Sequence, residues 1–220
     1  MNRKFRLITA VVVLFLTGLA CSALSSGDSG DSGDTTDANI LFQDDFSSST
    51  SGWDEVRDEQ GMTDYDQGGY RIQVQQSNFD YWANPGLSFT DVSVTVKATK
   101  IGGPDDNDFG ILCRYQDVSN FYLLIASSDG FWGLGKVVNG DQELIGMSSM
   151  EATDAINQSN PSQTLRADCV GSTLTFYING QQVGSVQDST FSSGDVGLIA
   201  GTFDVAGTDI LFDDFVVRKP

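Results

Sequence analysis

Histidine is absent from this chain of 220 residues. Imidazole is the commonest protein ligand of catalytic zinc and the usual general base of serine and cysteine hydrolases. The composition therefore excludes histidine-based metal sites, Ser-His-Asp triads and Cys-His dyads.

Basic residues are scarce as well. Twelve lysine and arginine residues stand against 30 aspartate and glutamate residues, which gives a formal net charge of −18. A surface of this charge repels nucleic acid and anionic lipid head groups. Nucleic acid is thus excluded as a partner, whereas neutral sugars, cations and basic proteins remain compatible with the charge.

The N-terminus has the pattern of an export signal. Arg3, Lys4 and Arg6 precede an apolar run over residues 7–16, and small residues follow. The run is too short for a membrane span. Residues 17–21 resemble the bacterial lipobox, which implies cleavage before Cys21 and its lipidation. The alternative is an ordinary secretory signal with a chance cysteine.

Three segments follow from this pattern. Residues 1–20 are predicted to be a lipoprotein signal peptide. Residues 21–38 comprise the lipidated Cys21 and a disordered acidic tether, because repeated Gly, Ser and Asp residues have little to bury. Residues 39–220 form the folded domain. We expect a chain anchored to the bacterial cell membrane by lipid and facing outside the cytoplasm.

Short β-rich runs separated by Gly, Asn, Asp and Ser fill the predicted domain, and only residues 151–157 read as helical. Asn179-Gly180 and residues 170–172 are predicted turns. About 180 residues with this pattern of short strands and turns predict a single all-β sandwich. The predicted strands are 40–46, 70–75, 80–84, 92–101, 109–115, 121–126, 131–138, 143–147, 165–170, 173–178, 182–187, 194–200 and 210–218.

The predicted centre of the sandwich is a hairpin formed by residues 109–115 and 121–126. Because strand side chains alternate, a core position for Cys113 places Arg114 on the outer face of its sheet. Tyr122 lies on the corresponding outer face if its neighbours Phe121 and Leu123 are core. Cys113 and Cys169 are an even pair on buried faces of an exported domain, which predicts a disulfide between them.

A series of short motifs runs through the predicted domain. The motifs are Asp44-Asp45-Phe46, Gly52-Trp53, the hairpin with residues 109–114 and 120–122, Asp129-Gly130-Phe131-Trp132, residues 169–174, residues 177–180, residues 194–198 and Phe212-Asp213-Asp214-Phe215. Together they resemble the concanavalin A-like lectin/glucanase jelly roll, and within it laminin-G-like domains and 3-keto-disaccharide hydrolase domains. The resemblance covers essentially all of residues 39–220 and implies a β-sandwich of two antiparallel sheets. Because this fold hosts lectins, hydrolases and adhesion modules, it implies no single function.

The carboxylate pair of the glucanases is missing. Their Glu-x-Asp-x-x-Glu strand has no counterpart, since none of the four glutamates has an acidic residue two positions later. Glycosidases need two positioned carboxyl groups. Asp105, Asp106 and Asp108 cluster before the Arg114 strand, but they read as a solvated loop. We therefore expect no catalytic residue, although a glycoside hydrolase stays the first alternative.

We expect a binding face rather than a catalytic site. Sugars are commonly held by an aromatic platform together with polar groups, because a sugar ring has an apolar face and vicinal hydroxyls. Core packing of the tryptophans, and pairing of Arg114 with an acid such as Asp168, is the alternative for these residues. The candidate ligand-binding residues are Arg114, Tyr122, Lys136, Trp82, Trp132 and Asp80.

Two aspartate pairs bracket the domain, Asp44-Asp45 and Asp213-Asp214. Terminal strands of such sandwiches often lie side by side, and aspartates brought together there repel unless they are solvated, hydrogen-bonded or bridged by a cation. A structural Ca²⁺ site is one hypothesis, and capping of strand ends is the other. No other cofactor is expected.

The sequence thus predicts a surface lipoprotein with a non-catalytic, carbohydrate-binding β-sandwich. A structural or protein-interaction module of the cell envelope is the second alternative, with a protein partner.

Overall fold

The computed structural model describes residues 38–220. This part of the chain contains sixteen β-strands and no helix. The strands are β1 Ile40–Asp44, β2 Val56–Arg57, β3 Gly61–Asp66, β4 Gly69–Val74, β5 Phe79–Ala83, β6 Val92–Gly102, β7 Asn107–Asp117, β8 Asn120–Ala126, β9 Phe131–Val138, β10 Asp141–Leu144, β11 Glu151–Ala152, β12 Ser162–Val170, β13 Thr173–Ile178, β14 Gln181–Gln187, β15 Asp195–Thr202 and β16 Thr208–Arg218.

The strands form two antiparallel sheets. The nine-stranded sheet has the order β14-β13-β12-β6-β16-β4-β3-β2, and β1 pairs with β16. The seven-stranded sheet has the order β10-β9-β8-β7-β15-β5, and β11 pairs with β9. The predicted all-β jelly roll of two antiparallel sheets is confirmed.

The main core lies between the two sheets because alternate residues of each strand are apolar. In β6, Val92, Val94 and Val96 are buried, while the residues between them are at least partly exposed. Phe109 and Ile111 of β7 enter the same core from the opposite sheet. The period of two along each strand therefore sets which face of each sheet is buried.

A disulfide joins the two sheets. Cys113 of β7 and Cys169 of β12 are bonded, and both are fully buried in the main core. The disulfide predicted from the sequence is confirmed.

The outer face of the seven-stranded sheet is also apolar. Its buried residues form a second cluster, against which Trp82, Tyr115 and Met150 pack. This face therefore differs from the usual solvated face of an antiparallel sheet. The cluster consists of Leu112, Phe121, Leu123, Ile125, Val137 and Ile199.

Strands β2 and β3 were not predicted from the sequence. β2 has only two residues, and β3 contains one glycine and two aspartates, which are poor strand formers. The turn from β3 to β4 contains Gln67 and Gly68, both with positive φ (53° and 77°). Such a two-residue turn matches the twist of a hairpin, and this x-Gly dipeptide was the available signal.

The one or two helical turns that residues 151–157 could form do not occur. Glu151 and Ala152 instead pair with Trp132 and Phe131 of β9, and a turn follows in which the Thr153 hydroxyl accepts a hydrogen bond from the Ala155 amide at 3.1 Å. The strand expected at 143–147 begins earlier, after a turn at Asn139 and Gly140.

The predicted Asn179-Gly180 turn is confirmed between β13 and β14, with φ values of 51° and 82°. Within residues 38–220, no helix has the length and apolarity needed to cross a membrane. The predicted signal peptide, the lipidation site Cys21 and most of the tether lie outside the described residues.

Candidate functional site

The candidate site is a cavity beside β5, which is an edge strand of the seven-stranded sheet. Its volume is about 370 Å³. The alternation of β5 sends Tyr81 and Ala83 into the main core and leaves Asp80 and Trp82 on the outer face. The lining residues are Asp54, Glu55, Val56, Phe79, Asp80, Tyr81, Trp82, Tyr115 and Val118.

Aromatic rings form one wall of the cavity. The Trp82 ring lies 5.5 Å from the Phe121 ring, which in turn lies 5.6 Å from the Tyr115 ring, measured between centroids. Trp82 and Tyr115 are only partly buried, whereas Phe121 is buried beneath them. Trp53 and Trp132 are both in the main core, so Trp82 is the tryptophan that a ligand can reach in the described structure.

Two carboxylates converge next to this wall. Strand pairing sets Asp80 of β5 and Asp108 of β7 on either side of Gly201 of β15. A Cβ atom on Gly201 would overlap Asp80 Oδ1 and would lie 2.7 Å from Asp108 Oδ2. With both carboxylates in these positions, a side chain at residue 201 would have to displace them.

Neither carboxylate has a partner within the described residues. Asp108 is only 5% exposed, and its Oδ1 atom is buried without a hydrogen bond. Burial raises the pKa of Asp80, and burial together with the nearby Asp80 raises the pKa of Asp108 well above its usual range. Close, desolvated carboxylates hold at least one proton more readily than exposed ones.

Asp108 corrects an expectation from the sequence. Asp105 and Asp106 are exposed as expected of a solvated loop, but Asp108 belongs to β7 and is buried. The sequence does indicate that Asp108 is part of a strand, because it stands at the start of an apolar run. Alternation along that run places Asp108 on the same face as Leu112.

Arg114 does not lie on the outer face, and that prediction is wrong. It adopts a left-handed backbone conformation with φ 53°, beside an irregularity in the pairing of β7 with β8. This turns its side chain inward, where only 2% is exposed. The guanidinium donates hydrogen bonds to the backbone carbonyls of Phe191 and Gly171, at 2.8 Å and 2.6 Å.

The acid near Arg114 is Asp91, at 3.5 Å, rather than Asp168. Asp168 instead accepts a hydrogen bond of 2.6 Å from the Ser93 hydroxyl. Arg114 thus holds loops together inside the sandwich.

Tyr122 also lies in the main core, opposite to the prediction. Phe121 and Leu123 belong to the second cluster instead. Both faces of β8 are apolar, so alternation alone could not show which one faced the main core. The Tyr122 hydroxyl donates a hydrogen bond of 2.6 Å to Asp188 Oδ1 and accepts one of 3.0 Å from the Phe191 amide.

Lys136 binds the same carboxylate as Tyr122. Its Nζ atom lies 2.7 Å from Asp188 Oδ2 and also donates to the Thr190 hydroxyl at 3.1 Å. Burial alone would raise the pKa of Asp188, but the hydrogen bonds from Lys136, Thr190 and Tyr122 outweigh it and hold this pKa well below its usual range. Through their bonds to Asp188, Tyr122 and Lys136 therefore fix the position of the connection that follows β14.

Trp132 packs across the core. A Cβ atom on Gly184 of β14 would overlap its ring, so this ring bridges β9 and the nine-stranded sheet. Of the six candidate ligand-binding residues, only Asp80 and Trp82 line the cavity. Arg114, Tyr122, Lys136 and Trp132 lie elsewhere, in core or connecting positions.

The calcium hypothesis stays a prediction. Strands β1 and β16 do pair, with Asp44 opposite Phe215, and Asp44, Asp45 and Asp214 line a cavity of about 300 Å³. The Asp44 carboxylate already accepts hydrogen bonds from the Phe46 amide (2.8 Å) and Trp53 Nε1 (2.9 Å). Among the described residues, no group of three or more acidic or cysteine side chains is placed to hold a metal. A melting-temperature titration with Ca²⁺ tests the hypothesis.

Comparison with family models finds no match, and comparison with curated proteins finds none either. Solved structures do match. The carbohydrate-binding module CBM66 from Bacillus subtilis is 20% identical, with a TM-score of 0.62 over 76% of this chain and 96% of that one.

A protein of unknown function with a galectin-like fold, also from Bacillus subtilis, is 15% identical, with a TM-score of 0.61 over 82% of this chain and 96% of that one. A GH16 protein from the mixed-linkage glucan locus of Bacteroides ovatus, solved with a G4G4G3G product, is 10% identical, with a TM-score of 0.58 over 81% and 100%. At these identities the likeness concerns the fold, and the described domain has the concanavalin A-like lectin/glucanase jelly roll.

Proposed function

We propose that this domain is a non-catalytic carbohydrate-binding module whose ligand stacks on Trp82. The observation that carries the proposal is the cavity beside β5, where the partly exposed rings of Trp82 and Tyr115 stand next to the carboxylates of Asp54, Glu55 and Asp80. An aromatic face packs against the apolar face of a sugar ring, and carboxylate oxygens accept hydrogen bonds from sugar hydroxyls. Small-molecule sites commonly combine an apolar wall with a few polar groups in this way.

The known structures with this fold support the proposal. CBM66 is described as a carbohydrate-binding module, and the GH16 structure holds a glucan product. The acidic charge of the chain, −18 overall, is compatible with a neutral or cationic glycan and disfavours an anionic one.

The test is a glycan-array screen of soluble protein spanning residues 22–220, followed by titration with each hit. We expect saturable binding that quenches the fluorescence of Trp82. Trp82→Ala should weaken binding by roughly fivefold or more, because an aromatic contact is worth about 1 kcal/mol or more.

Phe131→Ala is the matched control, since Phe131 is a 39% exposed aromatic on β9 that does not line the cavity. Equal affinity of the Trp82→Ala variant and the wild type would reject the site. No binding across the array would reject the carbohydrate function and favour a protein-interaction module.

A glycoside hydrolase is the second candidate, because Asp80 and Asp108 bring two carboxyl groups together and hydrolysis needs such a pair. Release of reducing sugar from a glycan hit, lost in both Asp80→Asn and Asp108→Asn, would favour it. We rank it second because Asp108 is buried and does not line the cavity.

We further propose that the module is exported and held at the bacterial cell surface by lipid on Cys21. The sequence of residues 1–21 supports this. Metabolic labelling with a clickable fatty acid should mark the wild type and leave Cys21→Ala unlabelled. Labelling of both proteins would contradict the anchor.

A further inference from the structure

The side chains that line the cavity beside β5 include acidic ones and no basic one. Asp54, Glu55 and Asp80 line it together with aromatic residues and two valines, and no lysine or arginine is among the lining residues. Asp54 and Glu55 are exposed, whereas Asp80 is half-buried. The electrostatic potential in this cavity is therefore negative, and its low-dielectric aromatic wall strengthens the effect of each charge.

Asp108 places a second carboxyl group behind Asp80. Its carboxylate faces that of Asp80 across Gly201, where strand pairing places both residues opposite the same glycine. Its Oδ1 atom is buried and accepts no hydrogen bond within the described residues. A buried acceptor without a donor costs free energy, and such a group in a native structure calls for a partner.

The ligand group that fits Asp80 best is a positively charged donor. A carboxylate binds an ammonium group through charge-assisted hydrogen bonds, which are stronger than those from a neutral hydroxyl. The same ammonium is attracted to the face of a tryptophan within about 6 Å. Asp80 and Trp82 are two residues apart on one face of β5, so both can act on one ligand group.

We propose that Asp80, which lines the cavity and has the buried Asp108 behind it, is a subsite for a protonated amine, and that the glycan bound at Trp82 is an amino sugar with a free amine. This inference rests on the proposed carbohydrate function and names the ligand class for it. Asp80, rather than the exposed Asp54 and Glu55, distinguishes an amine from a hydroxyl, because its carboxylate is partly withdrawn from water.

The experiment compares two probes that differ only at the amine: an oligosaccharide of β-1,4-linked glucosamine and its fully N-acetylated form. Each is titrated calorimetrically into protein spanning residues 22–220 at slightly acid to neutral pH. We expect the free-amine form to bind at least tenfold more tightly. In Asp80→Asn this preference should fall to within about twofold, because the substitution removes the carboxylate that meets the amine in the cavity.

Asp106→Asn is the matched control. It removes the same charge from an exposed residue of the preceding loop that does not line the cavity, and its preference for the amine should equal that of the wild type. Each protein is checked by its melting curve, so a variant that fails to fold is recognised.

Two results would overturn the inference and leave the proposed function standing. One is equal affinity for the two probes in the wild type, and the other is an amine preference that survives in Asp80→Asn. Binding of a lysine-rich peptide at Trp82, without binding of any glycan, would instead reject the carbohydrate function together with the amino-sugar inference.

Discussion

The Arg114 guanidinium donates a hydrogen bond of 2.8 Å to the backbone carbonyl of Phe191 inside the sandwich. The same group reaches the carbonyls of Gly171 and Thr90, at 2.6 Å and 3.3 Å. These three carbonyls belong to three different connections between strands. One side chain thus ties together segments that are distant in sequence, near the disulfide end of β7.

Replacement of this arginine should be costly for stability and should not affect ligand binding. Arg114→Met leaves carbonyl groups buried without donors, so we expect the free energy of unfolding to fall by about 3 kcal/mol. Urea denaturation measures the loss. Arg57→Met is the control, because Arg57 is 67% exposed in its ion pair with Asp64 and should change stability by less than about 1 kcal/mol. Weaker glycan binding by a folded Arg114→Met protein would contradict this structural role.

The disulfide should contribute a large part of the stability. Cys113 and Cys169 are 56 residues apart in the sequence, and closing a loop of that length reduces the entropy of the unfolded chain by an amount worth about 4 kcal/mol. We expect a loss of this order in the Cys113→Ala/Cys169→Ala variant. A reducing agent should lower the stability of the wild type and leave the double variant unchanged. Insensitivity of the wild type to reduction during unfolding would contradict the expectation.

Asp188 should make stability depend on acid pH. Its carboxylate is bound by Tyr122 and Lys136, and its pKa in the folded state is held below the usual value. A carboxyl group with a lowered folded pKa stabilises the fold above its unfolded pKa, and this contribution is lost as pH falls towards the folded value. Wild type should exceed Asp188→Asn by about 2 kcal/mol at neutral pH, and the gap should shrink below about pH 4. A gap that is constant with pH would show that ionisation of Asp188 does not matter.

Alternation predicted the parts of this fold in which one face of a strand is polar. In β6 and β13, buried and partly exposed residues alternate as the sequence indicates, and β5 likewise presents Asp80 and Trp82 on one face. The disulfide followed because both cysteines lay on buried faces. These are local properties, and residues close in sequence determine them.

The positions that were predicted wrongly depend on contacts between strands, which a local sequence pattern does not contain. Both faces of β8 are apolar, so the orientation of Tyr122 depended on which sheet face the rest of the chain covers. The Arg114 side chain lies on the face opposite to the predicted one because the left-handed backbone conformation of Arg114 itself breaks the alternation of β7. The approach of Asp108 to Asp80 depends on the register of three strands and on a glycine more than 90 positions away in the sequence. Only the assembled sheet determines such a contact.

The Asp80–Asp108 pair should destabilise the fold progressively as pH rises. Burial raises the pKa of both carboxyl groups in the folded state. Between the unfolded pKa, near 3.9, and the raised folded values, the folded state therefore holds more protons than the unfolded state. Under that condition stability falls with increasing pH. This is the opposite of the behaviour expected for Asp188.

Asp108→Asn keeps the size of the side chain and removes the charge. We expect this variant to be more stable than wild type by about 2 kcal/mol at neutral pH, and the difference should disappear near pH 3, where both carboxyl groups are protonated in either state. Because one neutral partner already relieves the repulsion, Asp80→Asn should add little to Asp108→Asn in the double variant. Asp106→Asn, on the exposed loop, should leave the pH profile unchanged. Melting curves from pH 3 to 8 measure all four proteins, and an Asp108→Asn protein less stable than wild type at neutral pH would mean that the Asp108 carboxylate has a partner that stabilises it.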